Sequence, residues 1–127
     1  MNFYEEYILK NNTVSMISII SLLLITQLYS PVSSANNLAR NICEYVAADD
    51  KKRLRSFLKT QRIKIRSIFG DVTCNGQNLL IFAATRKSEE VGEMIIKKLP
   101  KKTLVLLIDE LTTVSATLGA IATERAG

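Results

Sequence analysis

The amino-acid sequence predicts an all-α domain, built of two helical hairpins plus a C-terminal helix and preceded by a signal segment. From residue 38 onward, apolar residues recur at spacings of three and four, which is the period of an amphipathic helix. The pattern also repeats when the chain is shifted by 37 residues, which indicates two copies of a two-helix unit. A chain of 127 residues suits one small domain.

The signal segment is predicted from an uncharged run of fifteen residues, Val14 to Leu28. The run is shorter than the about 20 apolar residues that span a membrane, and it has the length of the hydrophobic region of an export signal. Ser33 and Ala35 place small residues at the −3 and −1 positions of a cleavage site before Asn36. We therefore expect a signal peptide over residues 1–35, a helical domain over residues 36–127, and a periplasmic or secreted protein.

Two alternatives stay open for this segment. Its start carries one basic residue, Lys10, opposed by Glu5 and Glu6, whereas export signals begin with positive charge. The first alternative is therefore an uncleaved anchor that holds the protein at the inner membrane through residues 14–28. The second is a buried helix of the folded domain, which is disfavoured because apolar residues surround the whole helix.

Cys43 and Cys74 are the two cysteines of the chain, and both follow the predicted cleavage site. An exported chain meets an oxidising compartment, so we expect a disulfide between them that closes a loop of about 31 residues. Two buried free cysteines are the alternative. A redox-active pair is not expected, because the sequence has no Cys-X-X-Cys motif.

The first hairpin is expected to begin at Asn36 or Asn37, either of which can cap a helix. Asp49 and Asp50 lie where one helix ends and the next is capped. The apolar face of the two helices consists of Leu38, Ile42, Tyr45, Val46, Leu54, Phe57 and Leu58. The segment 61–69 alternates basic and apolar residues as a strand does but also suits a helix, and both assignments stay open.

The second hairpin follows a turn at Asn75-Gly76, with Ser88 as a cap of its second helix and Pro100 at its end. Its apolar face consists of Leu79, Leu80, Phe82, Ala83, Val91, Met94 and Ile95. Four cations are expected near the C-terminal end of this helix, where they favour the helix dipole: Lys97, Lys98, Lys101 and Lys102. The tail is either a final packed helix or a partly ordered extension, and its apolar run Leu104–Ile108 is expected to be buried, either in the core or against a partner.

Residues 76–84 read Gly-Gln-Asn-Leu-Leu-Ile-Phe-Ala-Ala, where ankyrin repeats have Gly-x-Thr-Pro-Leu-His-x-Ala-Ala. The segment resembles an ankyrin repeat, with Asn78, Leu79 and Ile81 departing from the Thr, Pro and His of that motif. The resemblance implies that the two hairpins are ankyrin-like. Close packing of two helices also accounts for the small residues Ala83 and Ala84.

A longer pattern runs through Ile42-Cys43-Glu44, the basic segment that follows, Cys74-Asn75-Gly76 and Leu79-Leu80-x-x-Ala83. This order resembles a family of short exported bacterial proteins that is known only as a domain of unknown function, over roughly residues 36–100. The resemblance implies a compartment and domain limits, and it implies no activity.

The strongest charge feature is a group of eight basic residues within sixteen positions, without an acidic residue among them. The eight are Lys51, Lys52, Arg53, Arg55, Lys59, Arg62, Lys64 and Arg66. Such a group binds an acidic protein, anionic lipid headgroups or nucleic-acid phosphates, or it is only a solvated helix face. Nucleic acid is not expected as the partner, because an exported protein rarely meets it and Phe57 and Phe69 suit the core better than base stacking.

Catalysis is not supported by the sequence. The chain has no His, which excludes Ser-His-Asp and Cys-His sites and His-ligated zinc. Three adjacent acidic pairs, Asp49-Asp50, Glu89-Glu90 and Asp109-Glu110, would point about 100° apart on a helix, so none is a preformed two-carboxylate site. We expect a non-catalytic interaction or structural module without metal or cofactor, whose basic face contacts a protein partner in the envelope. The alternative is a peripheral binder of anionic membrane surfaces.

Overall fold

The computed structural model describes residues 32–127, with side chains from residue 35 onward, so the predicted signal run Val14–Leu28 lies outside it. The helices are α1 (Val32–Ala47), α2 (Lys51–Thr60), α3 (Ile65–Ile68), α4 (Leu79–Thr85), α5 (Glu89–Lys98), α6 (Lys101–Val114) and α7 (Ala116–Ala126). Strands β1 (Thr73–Cys74) and β2 (Gln77–Asn78) pair antiparallel. The all-α prediction is confirmed. Within residues 32–127, no helix is both long and apolar enough to cross a membrane.

Helix α1 begins earlier than the sequence predicts. It starts at Val32, upstream of the expected caps Asn36 and Asn37. The residues between contain no proline or glycine, so nothing in their backbone stops the helix from extending toward the N-terminus. At the other end of the hairpin, the rings of Tyr45 on α1 and Phe57 on α2 lie 5.6 Å apart, edge to face.

Both hairpin loops have the same backbone form. Helices α1 and α4 each end before a residue in the left-handed conformation, Asp49 at φ 53° and Lys87 at φ 58°. The next residues, Asp50 and Ser88, have nearly equal dihedral angles of φ −89°, ψ 74° and φ −88°, ψ 75°. The two hairpins therefore reverse the chain in the same way, with a left-handed residue ending the first helix.

The 37-residue repeat is also visible in the core. Four residues of the first hairpin and their equivalents in the second are all at most 8% exposed. The equivalent pairs are Ile42 and Leu79, Val46 and Ala83, Leu54 and Val91, and Leu58 and Ile95. The two hairpins thus use the same positions to cover a common core, while their likeness to ankyrin repeats stays a prediction.

A two-residue β-turn and a disulfide join the two hairpins. Asn75 and Gly76 both have positive φ, at 52° and 76°, which is the type I′ geometry favoured between short antiparallel strands. Cys74 on β1 forms a disulfide with Cys43 on α1, and their Cα atoms are 5.7 Å apart. The expected turn and the expected disulfide are both confirmed.

The segment 61–69, which the sequence leaves open between strand and helix, contains the short helix α3. Arg62 is left-handed at φ 56°, and Lys64 is extended at φ −106°, ψ 138° before the helix begins. Ile65 is 5% exposed and joins the core. The alternating apolar and basic residues therefore form a short extended stretch that leads into one helical turn.

The C-terminal part forms two helices where the sequence predicts one. Ser115 separates them, and its hydroxyl accepts a hydrogen bond of 3.2 Å from the Leu118 N–H at the start of α7. The two helices pack closely, since a Cβ on Gly119 would lie 2.7 Å from the Cα of Thr112. Serine as a cap and glycine at the contact are the local reasons for the break and for the close approach.

The core buries the run Leu104–Ile108 only in part, and burial against a partner stays a prediction. Leu104 is fully buried, but Val105 and Leu106 are 60% and 80% exposed. Successive residues on a helix are rotated by about 100°, so five consecutive apolar residues surround α6 and cannot all face the core. The run therefore contributes to the core and also leaves an apolar strip on the surface.

The N-terminus of α5 is capped from the first hairpin. Ser88 occupies the expected capping position, but its buried hydroxyl has no hydrogen-bond partner among the described residues. The carboxylate of Asp49 instead accepts hydrogen bonds from the N–H groups of Val91 at 2.8 Å and Glu90 at 3.4 Å. Asp50 caps its own helix, because its carboxylate accepts a hydrogen bond from the Arg53 N–H at 2.9 Å.

We expect Asp49→Ala to lower the free energy of unfolding by about 1 to 2 kcal/mol, because it removes a charged cap and places alanine in a left-handed conformation. Asp49→Asn should cost less, since asparagine tolerates this conformation and keeps an acceptor oxygen. Urea unfolding measures both, with Asp71→Ala as the control that removes one exposed carboxylate. Equal stability of the Asp49→Ala and Asp71→Ala variants would contradict the cap.

Candidate binding groove

A groove of about 770 Å³ lies between α2, the residues around α3, and the C-terminal ends of α5 and α7. We call it the basic groove. Its cationic side chains are Arg55, Lys59, Lys64, Arg66, Lys97, Lys98 and Arg125. Its apolar residues are Leu58, Ile63, Ile65, Met94, Leu99 and Pro100. Among the described residues that line it, none is acidic.

Half of the predicted basic face contributes to this groove. The contributing residues are Arg55, Lys59, Lys64 and Arg66. The other four, Lys51, Lys52, Arg53 and Arg62, do not line it. Lys51 forms an ion pair with Glu90 at 3.5 Å, and Arg53 forms one with Asp50 at 3.4 Å. Residues on one helix point in different directions, so a continuous run of cations in the sequence does not form a continuous face.

Three cations of the groove were missed by the sequence reasoning: Lys97, Lys98 and Arg125. They lie in the last turns of α5 and α7, as Lys59 does in α2. The C-terminal ends of three helices therefore meet at the groove. The sequence signal that could have found these cations is the basic residue in the last turn of each helix. Lys101 and Lys102, which were expected near the C-terminal end of α5, instead lie in the first turn of α6.

The helix dipoles offset only part of the positive charge of the groove. Each helix C-terminus carries a partial charge of about −0.5, so three ends offset roughly one and a half of the seven cations. Among residues 35–127, Lys97 is the groove cation that forms an ion pair, at 2.7 Å from Glu93. After both corrections, an excess of about four to five positive charges remains in the groove.

A smaller adjoining hollow has acidic as well as basic side chains in its lining. It contains Glu90 and Glu93, and each pairs with a lysine, Lys51 and Lys97. The hydrogen bond that the Lys97 ammonium donates lowers the pKa of Glu93, and the positive charges of Lys97 and Lys51 lower it further. Four cations and two carboxylates line this hollow, so its net charge is also positive but smaller than that of the basic groove, which has no carboxylate among its described lining.

The groove lining offers little chemistry beyond charge and apolar contact. Its described residues include no hydroxyl, thiol, carboxylate or imidazole group that could act as nucleophile or general base. Across the described part of the chain, no group of three His, Cys, Asp or Glu side chains could hold a metal ion. What the arrangement can do is attract and hold an anion.

Comparison with known proteins places the chain in a family. The model of the family described as "Protein of unknown function (DUF3718)" matches residues 42–106, which include α2 to α5 and all but one of the groove residues. A search of curated proteins and a search of solved structures each found no match. Since the family model covers more than half of the sequence, the protein belongs to this family of unknown function.

Proposed function

We propose that the protein is an exported, non-catalytic binding module that holds a negatively charged partner in the basic groove. The observation that carries this proposal is the convergence of seven cations on one groove whose described lining has no acid. A ligand that neutralises them would relieve their mutual repulsion and gain Coulomb energy with each. The described lining has no hydroxyl, thiol, carboxylate or imidazole group beside its cations, which supports a binding role over an enzymatic one.

Export to the periplasm or the exterior is part of the proposal. Its support is the uncharged run Val14–Leu28 in the sequence and the Cys43–Cys74 disulfide, a bond that persists in oxidising compartments. The partner we propose is a component of the envelope. An anchor formed by residues 14–28 would place the same groove at the outer side of the inner membrane.

The alternative is a peripheral protein that binds an anionic membrane surface through the same cations. A bilayer surface is flat on the scale of this domain, and it contacts protruding side chains best. The cations of the basic groove line a concave surface and not a protruding one. This shape favours a ligand that enters the groove over a surface that covers it.

The test compares two variants that each lose four positive charges from exposed positions. The groove variant carries Arg55→Gln, Lys59→Gln, Arg66→Gln and Lys98→Gln. The control variant carries Lys52→Gln, Arg86→Gln, Lys101→Gln and Lys102→Gln, none of which lines the groove. We expect the groove variant to bind labelled polyglutamate at about 0.1 M salt about tenfold more weakly than the wild type, since exposed ion pairs contribute about 0.2 to 1 kcal/mol each and four of them about 1 to 4 kcal/mol together.

The control variant should bind polyglutamate within about threefold of the wild type, because long-range charge alone is screened beyond roughly 10 Å at about 0.1 M salt. Thermal unfolding of both variants checks that the fold is kept. Equal weakening in the two variants would show that net charge, and not the groove, binds the anion, and the proposal would then fail.

A further inference from the structure

We propose that the ligand of the basic groove is a short acidic segment of another protein, extended in conformation, in which carboxylates alternate with small apolar side chains. This inference rests on the proposed function and narrows its anionic partner to one chemical class. Three features of the groove carry it: the mixing of cationic and apolar positions, the burial of the apolar floor beneath an open groove, and the lack of aromatic side chains in the described lining.

Cationic and apolar residues alternate along the groove wall. Leu58 is followed by Lys59, and the segment from Ile63 to Arg66 reads apolar, basic, apolar, basic, with all four residues lining the groove. A lipid separates its anionic head from its apolar tail, so a bound acyl chain would lie against cations. In an extended peptide successive side chains point to opposite faces. An alternating sequence therefore turns its apolar side chains toward the buried apolar residues of the groove and its carboxylates toward the exposed cations around them.

The floor of the groove is apolar, and the groove is open to solvent. Leu58, Ile65, Met94 and Leu99 are 8%, 5%, 5% and 2% exposed, because they are already packed into the core. Only a small part of each side chain is exposed to a ligand, and the open groove does not enclose an acyl chain. Small side chains such as valine, on one face of the peptide, would make partial contacts with these residues. The carboxylates on the opposite face would be reached by the long, exposed Lys and Arg side chains.

Single-stranded nucleic acid fits the groove less well than an acidic peptide. Proteins that bind it combine cations with aromatic side chains on which the bases stack. The described lining of the basic groove has no aromatic residue. Phosphate and carboxylate are both attracted by Lys and Arg, so polyphosphate remains the necessary comparison in the experiment.

The experiment measures binding to the full chain, with its disulfide formed, by fluorescence anisotropy. The probe is a labelled peptide of about eight residues that alternates glutamate with valine, and its matched control alternates glutamate with serine. Polyphosphate and vesicles with about 30% phosphatidylglycerol are the other anions. We expect the glutamate-valine peptide to bind about fivefold more tightly than the glutamate-serine peptide and more tightly than either other anion.

The groove variant and the control variant distinguish a failure of this inference from a failure of the proposed function. The groove variant should lose about tenfold in affinity for the glutamate-valine peptide, and the control variant should keep it within about threefold. Equal binding of the two peptides, or groove-dependent binding that is tighter for polyphosphate or vesicles, would overturn the acidic-peptide inference while the binding function stands. If the groove variant binds every anion as the wild type does, both fail.

Discussion

Replacing both Cys43 and Cys74 with alanine is expected to lower the free energy of unfolding by about 3 to 4 kcal/mol. The disulfide joins residues 31 positions apart, so its loss frees a large loop of the unfolded chain and stabilises the unfolded state entropically. Cys74 is also 3% exposed, and alanine would leave part of its space empty. Urea unfolding of the oxidised wild type and of the double variant, both without reductant, measures the difference.

The control for this prediction is the reduced wild type, which should unfold at nearly the same urea concentration as the double alanine variant. The slope of the unfolding free energy against urea should rise in both, because an open chain exposes more surface than a cross-linked one. A loss of stability below about 1 kcal/mol in both proteins would contradict this prediction, because it would show that the core stabilises the fold with little contribution from the disulfide.

The second large effect is expected from Leu118→Ala, with a loss of about 2 to 5 kcal/mol. Leu118 on α7 is fully buried, and its side chain lies against Gly92 on α5. A Cβ at Gly92 would meet the Leu118 Cδ1 atom at 2.6 Å, so leucine and glycine form a complementary pair. The alanine variant would leave a cavity at the contact between α5 and α7.

This pairing predicts a rescue that tests the geometry directly. Gly92→Ala alone should destabilise the protein by about 1 to 3 kcal/mol through overpacking against Leu118. In the double variant the added methyl group occupies space that the leucine has left. We therefore expect the double variant to lose at least about 1 kcal/mol less than the sum of the two single losses. Additive losses would show that the two residues do not share this space.

Local signals in the sequence were sufficient for much of the fold. The spacing of Leu79, Ala83, Val91 and Ile95 predicts the faces of α4 and α5, and all four residues are buried. The Asn75-Gly76 turn depends on the positive φ that these two residue types adopt readily, so its position was predictable. These features depend on residues that are only a few positions apart in the chain, so a sequence pattern is sufficient to predict them.

The basic groove could be predicted only in part, because it depends on contacts between distant segments. Arg55 and Lys59 belong to a visible run of cations, but Lys98 and Arg125 come from helices much later in the chain. Their meeting requires that the C-terminal ends of α2, α5 and α7 converge. Periodicity assigns a residue to a helix face and does not specify which helix ends lie side by side.

The division of the C-terminal part shows the same limit at shorter range. Ser115 is a good capping residue, yet the apolar pattern continues on both sides of it, so one helix and two helices fit the sequence equally well. The close contact between Gly119 and Thr112 favours the break, because it lets α7 pack against α6. Such a contact exists only once the chain has folded back on itself.

The disulfide has a consequence for the survival of the protein among proteases. Every basic residue from Lys51 to Arg66 lies between Cys43 and Cys74, and trypsin-like proteases cleave after such residues. One cut in this stretch would produce two polypeptides that remain covalently joined through the sulfur atoms. Nicked protein would migrate as one species without reductant and as two with it, and the wall of the groove formed by α2 would stay tethered to the walls formed by α5 and α7.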